Sequence, residues 1–225
     1  MTSYQSGPQQ ETTLQEAQLL EALRRGDEDA FSTVVDKYSG SLIRLAMTFV
    51  PSRAVAEEVV QETWLGVLEG LSRFEGRSSF KTWLFRILTN RAKTRGQRES
   101  RYEPYPSKTG SGDDSHEPAV DPSRFVKSGF WADHWASPPD AWDEHTPERI
   151  LVSKEGRKQI DTAIQMLPEM QRHVMTLRDI EGLTSKETCN ILDLSETNQR
   201  VLLHRARSRV RQELERYLRP NQRGA

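Results

Sequence analysis

The sequence predicts an all-α protein made of two small helical domains joined by a long acidic linker. Three observations carry that expectation. On both sides of the middle, apolar residues recur at spacings of three and four, and nothing alternates as a strand would. Between about Glu103 and Pro147 the chain is rich in Pro, Ser, Gly and Asp and holds no sustained period. The overall net charge of −1 also hides a segregation: residues 1–102 carry 14 Lys and Arg against 13 Asp and Glu, residues 103–148 carry 3 against 10, and residues 149–225 carry 15 against 10. Two neutral-to-basic blocks flank an acidic one. The expected organisation is a flexible tail over 1–12, a helical domain over 13–102, the linker over 103–148, a second helical domain over 149–219 and a tail over 220–225.

The first domain reads as four helices. One covers about Leu14–Arg24 and stops at Gly26. Asp27 caps the next, whose Phe31, Val34, Val35, Tyr38, Leu42, Leu45, Ala46 and Phe49 form a core face that runs until Pro51. A third helix from about Arg53 to Phe74 places Val60, Trp64, Val67, Leu68 and Leu71 on one stripe, with Glu57, Glu58, Gln61, Glu62 and Leu65 on other faces. After the loop Glu75-Gly76-Arg77-Ser78, a fourth helix from about Ser79 to Arg95 buries Phe80, Trp83, Leu84, Ile87 and Leu88. The remainder of that helix is basic: from Lys81 to Arg101 there are seven Lys and Arg and one acid, Glu99. Such a run is the electrostatic footprint of a phosphate-backbone contact, with a solvated face of uneven charge as the competing reading.

The second domain is also helical. Helices are expected over about Ser153–Met166 and Pro168–Ile180, with Pro168 in the first turn and Gly182 closing the second. Thr184-Ser185-Lys186-Glu187 spells a capping box for a short helix to about Leu192. Asp193 and Leu194 make a turn, and Ser195 caps a long last helix to about Leu218. Short helix, tight turn and longer helix have the layout of a DNA-binding helix-turn-helix. Arg200, Arg205, Arg207, Arg209 and Arg211 on the long helix, with no intervening acid, suit contact with guanine edges or phosphate.

Several function classes are disfavoured. One cysteine, Cys189, excludes an internal disulfide and a multi-cysteine zinc site, and it reads as a buried, inert thiol. No His has a carboxylate or Cys at metal-ligand spacing, and no Gly-rich phosphate loop is present, so neither an enzyme, a metal nor a cofactor is expected. His116, His134 and His145 fall in the linker, and His173 reads as a surface residue. The lack of a long apolar run or a leader points to a cytoplasmic protein with no membrane insertion. The linker aromatics Phe125, Phe130, Trp131, Trp135 and Trp142 ask either for a partner that receives them or for a short structured extension that packs on a flanking domain. An ordinary helix-turn-helix regulator with a helical sensing or dimerisation domain is the rival reading.

The residues themselves resemble a known family. Glu57-Glu58-Val59-Val60-Gln61-Glu62-Thr63-Trp64, then Phe74-Glu75-Gly76-Arg77-Ser78-Ser79-Phe80-Lys81-Thr82-Trp83-Leu84-Phe85-Arg86-Ile87 and Asn90, are similar to region 2 of the extracytoplasmic-function (ECF, group IV) sigma factors of the bacterial sigma-70 family. Leu167-Pro168, Glu181-Gly182-Leu183-Thr184, and Ser195 with Leu203-His204-Arg205-Ala206-Arg207 resemble region 4. The resemblance covers roughly 10–99 and 150–218.

It implies a subunit that directs core RNA polymerase to promoters, binding the clamp helices of the largest subunit and the flap of the second largest. By resemblance, Glu58, Gln61, Glu62 and Leu65 are polymerase contacts. Phe74, Thr82 and Asn90 lie by the pocket that captures a base from the opened −10 element, with Arg77, Lys81, Arg86 and Arg91 on its backbone. Arg200, Val201, His204 and Arg205 read the −35 duplex. Gln199 stands where the family usually has a core residue and Leu202 where it usually has a basic one. The linker corresponds to the segment that threads toward the polymerase active centre, and its acids can mimic phosphates there. An anti-sigma factor is the expected regulatory partner.

Overall fold

The computed structural model describes residues 17–102 and 154–218, which are helical with no strand among them. The expected linker, its aromatics and both tails lie outside the described residues. The chain divides into two compact units, Met1–Pro104 and Tyr105–Ala225.

In the first unit α1 covers 17–24 and closes on Gly26, whose φ of +77° an L side chain rarely adopts. Asp27 N–H reaches back to Ala22 O at 3.1 Å and Gly26 N–H to Leu23 O at 3.0 Å, satisfying carbonyls that the helix end orphans. Asp27 then caps α2 (Glu28–Ala46), its carboxylate accepting from Ala30 N–H at 2.9 Å, with Glu28 and Asp29 in the first turn where the helix dipole favours acids. The helix stops at Ala46, a turn short of the expected end at Pro51. Pro51 disfavours helical backbone in the residue before it, and Thr48 donates its hydroxyl to Leu45 O at 2.7 Å, so the last turn closes on itself.

Ser52 caps α3 (Arg53–Gly70), which continues as a 3₁₀ turn over Leu71–Arg73. Ala56, Val59, Val60, Thr63, Trp64 and Val67 are its buried side chains. Leu68 was expected on that stripe and is instead 54% exposed. α4 runs from Phe80 to Tyr102, well past the expected end at Arg95. Its core residues are Phe80, Leu84, Phe85, Leu88 and Ala92, while Trp83 and Ile87 are only part-buried. The apolar face is therefore rotated toward Phe85 relative to the expected one. The extra turns are supported by ion pairs from Arg95 to Glu99 at 2.9 Å and to Glu58 at 2.7 Å. Gly96 lets the helix rest on the Phe49 carbonyl, into which a Cβ would run. Phe31 meets Trp64 edge-on at 5.9 Å across the α2–α3 contact.

In the second unit α5 (Lys154–Gln165) and α6 (Glu169–Met175) both pack on α8 (Glu196–Leu218), as does α7 (Ser185–Leu192). Pro168 is the N-cap of α6, with φ −51° and ψ 147°, and not the expected first helical residue. α6 widens into a π turn over Thr176–Ile180, and Gly182 at φ +68° ends it. His173, expected at the surface, is 1% exposed, because the helical period places it above Leu177 on the core face. The Thr184 and Glu187 capping box is present in both directions. Cys189 on α7 is buried, and that burial pushes its thiol pKa up, with Glu196 adding to the effect.

Candidate nucleic-acid interface

α3 turns the face that carries Trp64 to the core and presents Glu58, Gln61, Glu62 and Leu65 on another, all four exposed. Leu65 is 61% exposed, and Leu68, one turn on, extends the apolar strip beside the acids. Sequence reasoning missed Leu68 as a surface residue because an apolar residue at helical spacing was assigned to the core by type.

The residues expected at the −10 element divide between surface and interior. Phe74 is 6% exposed and lies against Trp83 at 4.8 Å and edge-on to Phe80 at 6.4 Å. Its carbonyl accepts from the Arg24 guanidinium, so α1 holds the start of the loop. Gly76 supplies the loop's positive φ of 71°. Arg77 is exposed and paired with Glu75. Ser79 Oγ accepts the Thr82 amide at 3.2 Å and lies 2.9 Å from Thr82 Oγ1, so Thr82 is buried in the first turn of α4. Lys81 Nζ sits 5.5 Å from the centre of the Phe85 ring. Arg86 and Asn90 are exposed, and Arg91 is part-buried.

A groove lined by Glu62, Ile87, Asn90, Arg91, Thr94, Arg95 and Arg98 brings together residues that the sequence assigned to separate surfaces. Arg91 Nη1 is 3.7 Å from Glu62 Oε2. Arg95 and Arg98 were not singled out from the sequence. Their spacing of four and seven from Arg91 was the available signal.

In the C-terminal unit, Asp193 takes the left-handed conformation at φ 60° and ψ 50°, and Leu194 N–H returns to Cys189 O at 3.1 Å. Ser195 Oγ accepts from Asn198 N–H at 3.2 Å and starts α8. Gln199, Leu202, Leu203, Ala206, Val210 and Leu214 line the buried side of α8. Gln199 is held there by Ser185 Oγ, which donates to its Oε1 at 2.7 Å. Both departures from the family pattern therefore fall on the packed face. Arg200, Val201 and His204 are exposed.

Arg205, expected with them, is 8% exposed: three residues after Leu202, it is carried toward the bundle. The exposed stripe continues instead at Arg207. That guanidinium grips Asp179 of the π turn through two bonds, Nε to Oδ2 at 2.8 Å and Nη2 to Oδ1 at 2.6 Å, and the hydrogen bond raises its pKa. Among the described residues no group of three His, Cys, Asp or Glu is placed to hold a metal, and no helix is long and apolar enough to cross a membrane.

A helical unit with a basic helix beside an acidic and apolar strip, joined in one chain to a helix-turn-helix unit, defines a two-part DNA-binding protein. Family comparison narrows that class. Sigma-70 region 2 matches residues 34–102, and Sigma-70 region 4 matches residues 157–210. The RNA polymerase sigma-H factor of Pseudomonas aeruginosa is 32% identical over 208 residues, spanning 92% of this chain and 98% of that one. The ECF RNA polymerase sigma-E factor of Escherichia coli is 30% identical over 192 residues, 85% of this chain and 90% of that one.

The fold is shared with two solved structures: CnrH in complex with the cytosolic domain of CnrY (TM-score 0.54, 19% identity, 89% of this chain and 97% of that one), and RpoE in complex with the anti-sigma factor NepR from Bartonella quintana (TM-score 0.53, 20% identity, 82% and 96%). The chain belongs to the ECF branch of the sigma-70 family. It is a sigma factor, and the rival sensor-domain regulator falls because region 2 occupies the place a sensor would take.

Proposed function

We propose that the N-terminal unit, residues 13–102, docks on core RNA polymerase through Glu58, Gln61, Glu62 and Leu65 and engages the −10 element through the 74–79 loop and α4. The C-terminal unit, residues 149–219, reads the −35 duplex from α8. The observation that carries this reading is the order of the two matched regions, each bringing an exposed basic helix.

In the N-terminal unit, Asn90, Arg86 and Arg77 supply polar and cationic edges at the surface. Phe74 and Thr82 lie behind them and shape the floor on which an expelled base is received. On α8, Arg200, Val201 and His204 face the groove, with hydrogen bonds from Arg200 and apolar contact from Val201. Arg205 serves the bundle. The protein adds no chemistry of its own: it lowers the cost of opening by binding the opened strand, inside the cytoplasm where the polymerase works. The clamp helices of the largest subunit and the flap of the second largest are the polymerase surfaces it takes. Control by an anti-sigma factor completes the proposal, supported by the exposed Leu65 and Leu68 strip, which such a partner would cover.

Run-off transcription with purified core polymerase, this chain and a library of upstream regions tests the reading. Initiation that depends on the chain and shares paired −35 and −10 elements supports it. A chain that core polymerase does not bind refutes it.

A further inference from the structure

The loop between α3 and α4 is held at both ends. At its far end Ser79 starts α4: its hydroxyl oxygen accepts the Thr82 amide at 3.2 Å and its carbonyl accepts Trp83 N–H at 3.1 Å. At its near end Phe74 is fixed by ring and backbone together. The ring packs on Trp83 and Phe80, the N–H donates to Leu71 O at 3.2 Å, and the carbonyl accepts from Arg24 Nη2 at 2.5 Å. Between these anchors Glu75, Gly76 and Arg77 are exposed, with Arg77 Nε donating to Glu75 Oε2 at 2.6 Å across the bend that Gly76 makes. Among the described residues, the Arg24 bond is the only hydrogen bond that reaches 74–78 from another helix. Leu23, 6% exposed, roots the last turn of α1 in the core, so the guanidinium next to it is delivered from a fixed base. A charge-assisted bond is the stronger kind, and this one ends on a backbone oxygen, where it constrains the path of the chain itself.

We infer that Arg24 is a positioning residue for the −10 element: from α1 it holds the 75–78 loop in the shape that receives an expelled base. The inference rests on the reading of that loop as the receiver. With the loop ordered beforehand, capture of the strand does not carry the cost of ordering it, and a base that fits is separated more sharply from one that does not. Arg24 acts through the Phe74 carbonyl, which gives α1 a part in promoter selectivity that its place outside the two matched DNA-binding helices does not suggest. The bond is only part-buried and competes with water, so its loss is worth a factor of about three to ten in the equilibrium between the held and the loosened loop.

The test uses the full-length chain in two assays. In the free protein, tryptic cleavage after Arg77 reports opening of the loop, and it should be about three- to tenfold faster in R24Q than in wild type. R24K keeps a cationic donor on a long stem and should restore much of the protection. R25Q removes the same charge from the adjacent exposed position and should cleave as wild type does. With core polymerase, run-off transcription from a promoter is set in competition with the same promoter carrying a substituted −10 element. R24Q should lose selectivity there by about the same three- to tenfold, with R24K recovering it in part, while selectivity against a substituted −35 element and the melting midpoint stay as in wild type. Equal effects in R25Q overturn the proposal in favour of bulk charge. An equal loss at −35, or a lowered midpoint, overturns it in favour of general destabilisation. Unchanged −10 selectivity in R24Q overturns it outright, whether or not cleavage speeds up. A wild-type chain that starts no transcription with core polymerase refutes the promoter reading and the proposal with it, and the tryptic assay then still decides whether Arg24 holds the loop.

Discussion

Phe74 and Thr82 of the N-terminal unit belong to the loop and first turn of α4 proposed for the −10 element, yet they sit inside the core against Trp83 and Ser79. Arg200, Val201 and His204 of the C-terminal unit stand clear of the packed stripe formed by Gln199, Leu202, Leu203 and Ala206. In one unit the candidate contacts and the core share atoms. In the other they occupy opposite sides of one helix. The task proposed for each would account for the contrast: receiving an unstacked base takes a walled recess, whereas reading an intact duplex takes only a helix face of the right width. Substitutions in the first unit should therefore change stability and promoter opening together, and those on α8 should separate them.

The largest effect that sharpens this contrast is expected from Phe74→Ala. Deleting a buried ring at a packed aromatic cluster should cost about 3 to 5 kcal/mol and lower the melting midpoint of the N-terminal unit together with transcription. An unchanged midpoint would break the comparison. Next comes the pair Arg200→Ala and His204→Ala, which should leave the midpoint nearly unmoved while costing about 1 to 3 kcal/mol in discrimination between a −35 duplex and a scrambled one, read by competition binding. A matching loss of stability would show that α8 does not keep contacts and core apart. Ser185→Ala leaves the buried Gln199 side-chain oxygen without the Ser185 hydroxyl that donates to it and should cost about 1 to 2 kcal/mol in urea denaturation with no change in −35 sequence preference. Thr184→Ala removes one arm of the capping box, and about 1 kcal/mol is expected by the same assay.

Punctuation was the most legible part of the sequence. Gly26, Asp27, Gly182, Thr184 with Glu187, and Ser195 each act where their local chemistry predicts, because a cap or a left-handed turn depends on only a few adjacent residues. Rotational phase was less legible. Leu68, His173 and Arg205 each sit on a different side of their helix from the one their type suggested, and Phe85 fills the core where Trp83 and Ile87 were expected, since that side is set by which neighbouring helices pack and where. The end of α2 was misjudged because Pro51 was taken as the stop, whereas the backbone leaves the helix at Met47 to prepare the cap at Ser52. The groove shared by Glu62 and Arg91 joins residues 29 positions apart, and only the packing of α3 on α4 could bring them together.

Cys189 is the only cysteine of the 225 residues, and it is buried, which pushes the pKa of its thiol up. Maleimide dyes attack the thiolate, so the native side chain should stay dark while a cysteine introduced at an exposed site reacts. The wild-type sequence is in that sense already prepared for fluorescent labelling. One dye on α3 and another on α8 would turn the separation of the two units, free and on polymerase, into an energy-transfer signal.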